Sequence, residues 1–171
     1  FVFYLDQIFL KPPKIGMGTN WHQDNAYFKV SDPEKGTAMW VALHEATIAN
    51  GTISVIPGSH TEDYSHHRDP FSDHHIRCEV QDSRAVAIEL PAGGAAFFNF
   101  GCAHATRTNE TERERAGLAL HFLRTDYIPN IKNKRKILTH LTGPLASGGV
   151  NEYDTVVEGT WSAEVERVLS N

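Results

Sequence analysis

A histidine and a carboxylate two residues apart form the most chemically specific motif in the sequence, His22-Gln23-Asp24. Residues two apart on a β-strand point to the same face of a sheet, so both side chains can reach one metal ion. His104 follows an apolar segment and supplies a third ligand if the chain returns to the same rim. Two histidines and one carboxylate leave three metal positions open, the arrangement of non-haem Fe(II) oxygenases. A His-x-Asp pair also occurs by chance, so the pair alone leaves a purely structural role open.

A cation that binds a carboxylate would complete such a site if it uses 2-oxoglutarate as its co-substrate. Arg115 is the candidate, because its planar guanidinium group can bind a carboxylate through two parallel hydrogen bonds. On a strand, Gly117 and Ala119 share the face of Arg115 and leave room for a small molecule. Arg107 and Arg113 compete for the same role, and the alternative for both is solvent exposure within a charged turn.

The elements that must position these residues are predicted to form an antiparallel, all-β core. Short apolar or alternating segments are separated by turn residues such as Asn50-Gly51, a pattern typical of a sandwich or barrel. We predict eight strands, at residues 2–10, 19–23, 38–42, 52–56, 77–80, 85–90, 95–100 and 117–124. Eight strands fit a two-sheet roll, and a short C-terminal helix is predicted at residues 162–169.

A polar connection at residues 61–83 is too long for a tight turn, and we expect it to form a lid over the substrate. It carries four histidines, His66, His67, His74 and His75. A second metal site with Asp69 and Asp73 is the alternative. Adjacent histidines on an extended chain diverge, however, which favours a solvated lid.

Length and composition restrict the class of protein. A chain of 171 residues with 40% hydrophobic positions is long enough for one domain with a sizeable core. A net charge of -5 leaves no broad basic surface, and we interpret the basic cluster at residues 132–136 as a solvated loop. Nucleic acid and membranes are therefore not expected partners. No segment resembles a membrane span or a signal peptide, which predicts a soluble cytoplasmic protein, and base rates favour a monomer or dimer.

The ends of the chain carry two further expectations. The sequence begins at Phe1, inside a predicted strand and without an initiator methionine, so we expect residues 1–171 to be a single domain that lacks upstream N-terminal segments. Residues 143–149 are predicted to be a linker before the terminal helix. Cys78 and Cys102 have no Cys-x-x-Cys spacing, which argues against a structural zinc ribbon.

Taken in order, several short motifs resemble those of the phytanoyl-CoA dioxygenase-like Fe(II)/2-oxoglutarate oxygenases. They extend from Val2 to about Tyr127 and comprise His22-Gln23-Asp24, Met39-Trp40-Val41-Ala42-Leu43, Asn50-Gly51, Val55-Ile56-Pro57-Gly58-Ser59-His60, His104-Ala105-Thr106 and Arg115-Ala116. The resemblance implies a double-stranded β-helix, which is a cupin-like jelly roll. It also implies that iron is bound by His22, Asp24 and His104. The same resemblance implies that 2-oxoglutarate is bound by Arg115, with help from Trp40 and Thr106.

The activity implied by this resemblance is Fe(II)- and 2-oxoglutarate-dependent hydroxylation of a C–H bond in a small organic substrate. Dioxygen is the second co-substrate, and succinate and CO2 are the co-products. From the residues alone, a cupin-like domain that binds a metal or small ligand without oxygenase activity stays open, because one fold hosts both uses. An inactive fragment and a plain core position for Trp40 also stay open.

Overall fold

The computed structural model of the chain describes residues 1–70, 75–129, 139–142 and 161–170, with side chains of the last segment described from residue 165. The strands are β1 (Val2–Lys11), β2 (Thr19–His22), β3 (Gly36–Ala42), β4 (Ile53–Val55), β5 (His66–Arg68), β6 (Ile76–Cys78), β7 (Val86–Ala87), β8 (Ala95–Asn99), β9 (His104–Thr106), β10 (Arg115–Leu123) and β11 (Thr139–His140). The helices are α1 (Asn25–Phe28) and α2 (Trp161–Leu169). Short 3₁₀ turns lie at Pro33–Lys35, Ser59–Thr61, Asp82–Arg84 and Thr125–Tyr127.

The strands form two main antiparallel sheets and one small hairpin. The larger sheet has the order β11-β1-β10-β3-β8, and the second sheet has the order β2-β9-β4-β7. Strands β5 and β6 form a separate two-stranded hairpin. This architecture confirms the prediction of an all-β core. No helix in the described part of the chain is long and apolar enough to cross a membrane.

Each of the eight predicted strands has a counterpart in the structure, and the predicted C-terminal helix is present as α2. The prediction missed β5, β9 and β11, which are only two or three residues long and show no apolar alternation. Such short strands exist because other strands offer them backbone partners in the tertiary structure, which sequence periodicity does not reveal. The predicted linker at 143–149, the basic cluster at 132–136, Asp73 and His74 lie outside the described residues.

Strand β10 shows how alternation builds the interior. Its inner face is entirely buried and consists of Arg115, Gly117, Ala119, His121 and Leu123. Its outer face consists of the buried Ala116 and the half-buried Leu118, Leu120 and Phe122. Because β10 lies between β1 and β3, its inner side chains are held from both sides by hydrogen-bonded neighbours. The centre of the large sheet is therefore a rigid support for a site.

The space above Gly117 is filled by a side chain from the neighbouring strand. A Cβ atom on Gly117 would lie 2.6 Å from Cζ2 of Trp40, because the indole ring covers the glycine. Ala119, in contrast, lines the main cavity of the domain. The prediction that both small residues leave room for a ligand is therefore wrong for Gly117, where the small residue accommodates the tryptophan.

Candidate metal centre

The His-x-Asp motif lies where β2 ends and α1 begins. Strand β2 ends at His22, and Asp24 has helical backbone angles (φ -55°, ψ -33°) as the N-cap residue of α1. The expectation that both side chains share one strand face is therefore wrong for Asp24, because the chain turns into the helix after His22. The Asp24 carboxylate makes no capping hydrogen bond to α1, although aspartate commonly does so at this position. It is therefore available to another partner.

Gln23 anchors this turn, a role that the sequence did not reveal. Its side chain is buried, and Nε2 donates hydrogen bonds to the backbone oxygens of Gly101 at 2.6 Å and Glu62 at 3.0 Å. Its backbone N–H donates to Nε2 of His66 at 3.1 Å. The residue between the two candidate ligands thus ties the turn to the segment that precedes β9.

His104 reaches the same place because β9 pairs with β2. His22 and His104 are direct partners in this antiparallel pair, and their ring centroids lie 4.3 Å apart. In each ring, Nδ1 lies within hydrogen-bond distance of a carbonyl two residues earlier, Asn20 at 2.7 Å and Cys102 at 3.0 Å. With the proton on Nδ1, each ring keeps the lone pair of Nε2 for a metal, a common way of orienting a histidine ligand.

The three candidate ligands converge on one point. Their nitrogen and oxygen donor atoms all lie within 4.8 Å of one another. Oδ1 of Asp24 is 3.8 Å from Nε2 of His22 and 3.5 Å from Nε2 of His104. Within the described residues this is the only such group of histidine, cysteine and acidic side chains, so the histidines of residues 61–83 described here form no second one.

Burial and mutual interaction leave these groups in the protonation state that a metal requires. Burial, followed by the neighbouring His104, lowers the pKa of His22 to about 4. Burial acts to raise the pKa of Asp24, but His104, His121 and His22 together bring it below its ordinary value. At neutral pH the site therefore combines a neutral His22 with an ionised carboxylate, which suits a divalent cation.

Arg115 lies in the same cavity and is completely buried. Its Nη2 donates to the backbone oxygen of Gly51, and its guanidinium group lies over the ring of Trp40, 5.3 Å from the centroid. Nε and Nη1 are buried and have no hydrogen-bond partner in the protein. Burial lowers the pKa of Arg115 to about 10, so the group remains charged at neutral pH. A buried cation with two free donors fits a carboxylate ligand.

Lys11 is a second buried cation beside Arg115, and it belongs to none of the sequence motifs described above. The two residues are partners in the β1–β10 pair, and Lys11 is 5% exposed. Its Nζ donates to the backbone oxygens of Met17 and Arg107, both at 2.5 Å. Burial and the charge of Arg115 lower its pKa to about 8. Only the pairing of β1 with β10 reveals this neighbour.

A cavity of about 590 Å³ joins these groups. All six predicted site residues line it, namely His22, Asp24, Trp40, His104, Thr106 and Arg115. The hydroxyl of Thr106 already lies 3.0 Å from that of Thr19. Arg107 and Arg113 are exposed and do not line this cavity, as their alternative interpretation predicted.

Two described residues of the predicted connection at residues 61–83 line the cavity. The hairpin of β5 and β6 supplies His75 and Ile76 to the lining. The backbone N–H of Ile76 donates to the hydroxyl of Tyr27 in α1 at 2.9 Å, and Nδ2 of Asn20 donates to Asp69 at 2.5 Å. The described residues of this predicted loop include the β5–β6 hairpin, and they are fastened to the segment that carries His22 and Asp24.

The fold and this site define a two-sheet β-domain with a buried cation next to a candidate His-Asp-His centre. Solved structures of the same fold include EvdO2 from Micromonospora carbonacea var. aurantiaca in complex with 2-oxoglutarate, at 33% identity and a TM-score of 0.64, covering 70% of this chain and 51% of that protein. The 2-oxoglutarate-dependent carbocyclase SnoK from nogalamycin biosynthesis has 22% identity and a TM-score of 0.61, covering 77% of this chain and 54% of that protein. The predicted jelly roll is confirmed.

The family follows from the sequence match. The profile of the phytanoyl-CoA dioxygenase (PhyH) family matches residues 2–117. A phytanoyl-CoA dioxygenase of Arabidopsis thaliana is 31% identical over 121 residues, 68% of this chain and 42% of that protein. The peroxisomal enzyme of Homo sapiens is 26% identical over 126 residues, 68% of this chain and 37% of that protein. The chain belongs to the phytanoyl-CoA dioxygenase family, as its motifs predicted, and spans about two fifths of the length of these relatives.

Proposed function

We propose that the chain forms the active site of an Fe(II)- and 2-oxoglutarate-dependent dioxygenase. The reaction is hydroxylation of a C–H bond in a small organic substrate by O2, with succinate and CO2 as co-products. One observation carries the proposal: the two unpartnered donors of buried Arg115 share a cavity with three candidate metal ligands. A dicarboxylate such as 2-oxoglutarate has one end for the cation and another for the metal. Membership of the family and the 2-oxoglutarate complex of EvdO2 support the same cofactors.

The metal is held by three side chains in this proposal. His22 and His104 bind Fe(II) through Nε2, and Asp24 binds it through Oδ1, its oxygen nearest to both rings. Bound iron supplies the dioxygen chemistry that protein side chains lack. The carbonyls that hold Nδ1 of each histidine keep the rings oriented before any metal arrives.

The co-substrate is held by Arg115 in the same cavity. The guanidinium group donates two parallel hydrogen bonds to one carboxylate of 2-oxoglutarate from an edge that includes Nε or Nη1, its unpartnered donors, while Trp40 and the bond to Gly51 keep the group in place. Thr106 offers a hydroxyl at the cavity wall. Apolar side chains such as Ile53 and Phe98 line the rest of the cavity and exclude water from the bound molecules.

We assign the substrate to the part of the cavity that the hairpin of β5 and β6 lines. Ile76 and His75 line the cavity from this hairpin, whereas Arg115 lines it from the large sheet. We therefore propose that residues 61–83 act as a lid over the substrate. Proteolytic cleavage within this segment should reduce substrate-coupled turnover more than 2-oxoglutarate binding, and unchanged coupling would contradict the lid.

An anaerobic titration tests the proposed site directly. Fe(II) and 2-oxoglutarate are added to the purified protein, and the visible metal-to-ligand charge-transfer band is followed. We expect a band in the parent that is lost in His22→Ala and Asp24→Ala and retained in His67→Ala, which changes an exposed histidine on β5. Iron binding without a band would favour the alternative, a domain that binds a metal or small ligand without oxygenase activity. Screening by succinate release then identifies substrates.

Three further expectations belong to this proposal. The domain is proposed to work in the cytoplasm, as a monomer or dimer, with small-molecule partners and without nucleic acid or membrane. The net charge of -5 supports the exclusion of polyanionic partners. Light scattering after size-exclusion chromatography measures the oligomeric state, and imaging of a fluorescent fusion measures the location.

A further inference from the structure

We propose that His121 is a positioning residue that holds the Asp24 carboxylate in the orientation needed to bind the metal. This inference rests on the proposed function, because it takes Asp24 to be a metal ligand. His121 lies on the inner face of β10, six residues after Arg115 and on the same side of the strand. Neither the motifs nor the implied roles of the family resemblance include it.

The two oxygens of the Asp24 carboxylate have different surroundings. Oδ1 of Asp24 faces the two candidate histidine ligands, whereas Oδ2 is buried and forms no regular hydrogen bond in the protein. Nε2 of His121 is the ring nitrogen that faces it, at 3.5 Å. A proton on this nitrogen gives the buried oxygen the donor that it otherwise lacks.

The His121 ring is buried and tightly packed. The side chain is 5% exposed and lies beside Leu5, its pairing partner on the adjacent strand β1. The ring meets Phe28 edge-on, with centroids 5.2 Å apart, and packs at 5.9 Å from Phe100. A ring confined by two aromatic side chains can fix the rotation of a neighbouring carboxylate.

Few other contacts hold the Asp24 carboxylate in place. The two candidate histidine ligands are each oriented by a carbonyl group. Asp24 makes no side-chain cap to α1, so the usual partners of an N-cap carboxylate do not hold it. Without His121, the carboxylate can rotate about its Cβ–Cγ bond and exchange Oδ1 with Oδ2. Fixing the carboxylate in one orientation would then cost free energy when the metal binds, and this cost would weaken the affinity for Fe(II).

The test compares two replacements of His121 that are similar to each other in size and shape, His121→Gln and His121→Met. The glutamine carries an amide N–H donor that can face Asp24, and the methionine has similar length and no donor. Fe(II) affinity is measured anaerobically by competition with a chelating indicator, without co-substrate or turnover. We expect His121→Met to bind Fe(II) about 10- to 100-fold more weakly than the parent and His121→Gln to recover most of this loss. With 2-oxoglutarate added, the charge-transfer band should shift in His121→Met and return in His121→Gln.

Controls separate positioning from folding and from the metal site itself. Thermal denaturation establishes that each variant is folded, and if His121→Met is not, His121→Phe replaces it because a phenyl ring retains the packing against Phe28 and Phe100. Equal Fe(II) affinity in the glutamine and donor-free variants overturns the role of His121. Unchanged affinity in Asp24→Ala overturns the proposed metal site instead, so the two failures are distinguishable.

Discussion

Arg115 offers the sharpest test of the proposed co-substrate site, because two of its buried nitrogen atoms have no hydrogen-bond partner in the protein. The guanidinium group is fully buried, donates one hydrogen bond to Gly51 and leaves Nε and Nη1 without acceptors. We predict that Arg115→Met abolishes most 2-oxoglutarate binding and that Arg115→Lys retains part of it. Lysine keeps the charge but presents a point donor on a flexible stem, not a planar pair of donors.

The magnitude follows from the number of free donors. A hydrogen bond between charged groups contributes about 1.5–3 kcal/mol, so two such bonds to one carboxylate contribute about 3–6 kcal/mol. Because about 1.4 kcal/mol corresponds to a tenfold change in affinity, Arg115→Met should weaken 2-oxoglutarate binding by at least about 100-fold. Arg115→Lys should lose the equivalent of about one bond, which is a reduction of roughly 10- to 100-fold.

The assay is an anaerobic titration of the Fe(II)-loaded protein with 2-oxoglutarate, followed through the charge-transfer band. Arg113→Met is the matched control, because Arg113 is exposed and two residues away on the same segment. Its 2-oxoglutarate affinity should equal that of the parent. If Arg115→Met binds Fe(II) and still binds 2-oxoglutarate with the parent affinity, the free donors do not mark the carboxylate site and the reasoning is refuted.

Three other predictions follow from particular contacts. Tyr27→Phe removes the acceptor for the Ile76 N–H, so this amide should exchange with solvent about fivefold faster by hydrogen-exchange NMR; an unchanged rate would show that the contact does not fasten the hairpin. Because burial and a neighbouring guanidinium lower the pKa of Lys11 to about 8, 2-oxoglutarate affinity measured calorimetrically should fall as the pH rises from about 7 to 9 and the cation is lost. Lys11→Met should remove this dependence, and its persistence would exclude Lys11 as the cause. Gly117→Ala places a methyl group 2.6 Å from the Trp40 ring and should lower the free energy of unfolding by about 1–3 kcal/mol in urea denaturation. The same change in a Trp40→Phe background should cost less, and equal costs would contradict the clash.

The strands with clear alternation were predictable from the sequence, and the short polar ones were not. In β10, buried and half-buried positions alternate from Gly117 to Leu123, so period-two reasoning located the strand correctly. Strand β9 has only the three residues His104–Thr106, of which two are polar or titratable. Its existence depends on hydrogen bonds from β2 and β4 on either side, which are tertiary contacts.

The candidate site, like the strands, was predictable from the sequence only in part. The ordered motifs indicated which residue types to look for, and the structure brings all six into one cavity, while their roles stay predictions. The backbone position from which Asp24 enters the cavity was not predictable, because Asp24 is the N-cap residue of a helix and does not lie on the strand. His121 was overlooked because no short motif contains it, although its even spacing from Arg115 on an alternating strand is a signal that could have identified it.

The sequence by itself determined the all-β class and the family, and it predicted which side chains have the chemistry to bind a metal or a carboxylate. These are local properties, because side-chain chemistry and the two-residue period of a strand can be read from neighbouring positions. Only the tertiary structure decided which groups meet. His121 and Leu5 are 116 residues apart and touch because β1 pairs with β10 in one register. Lys11 and Arg115 become neighbours through the same pairing, since register depends on the packing of the whole sheet.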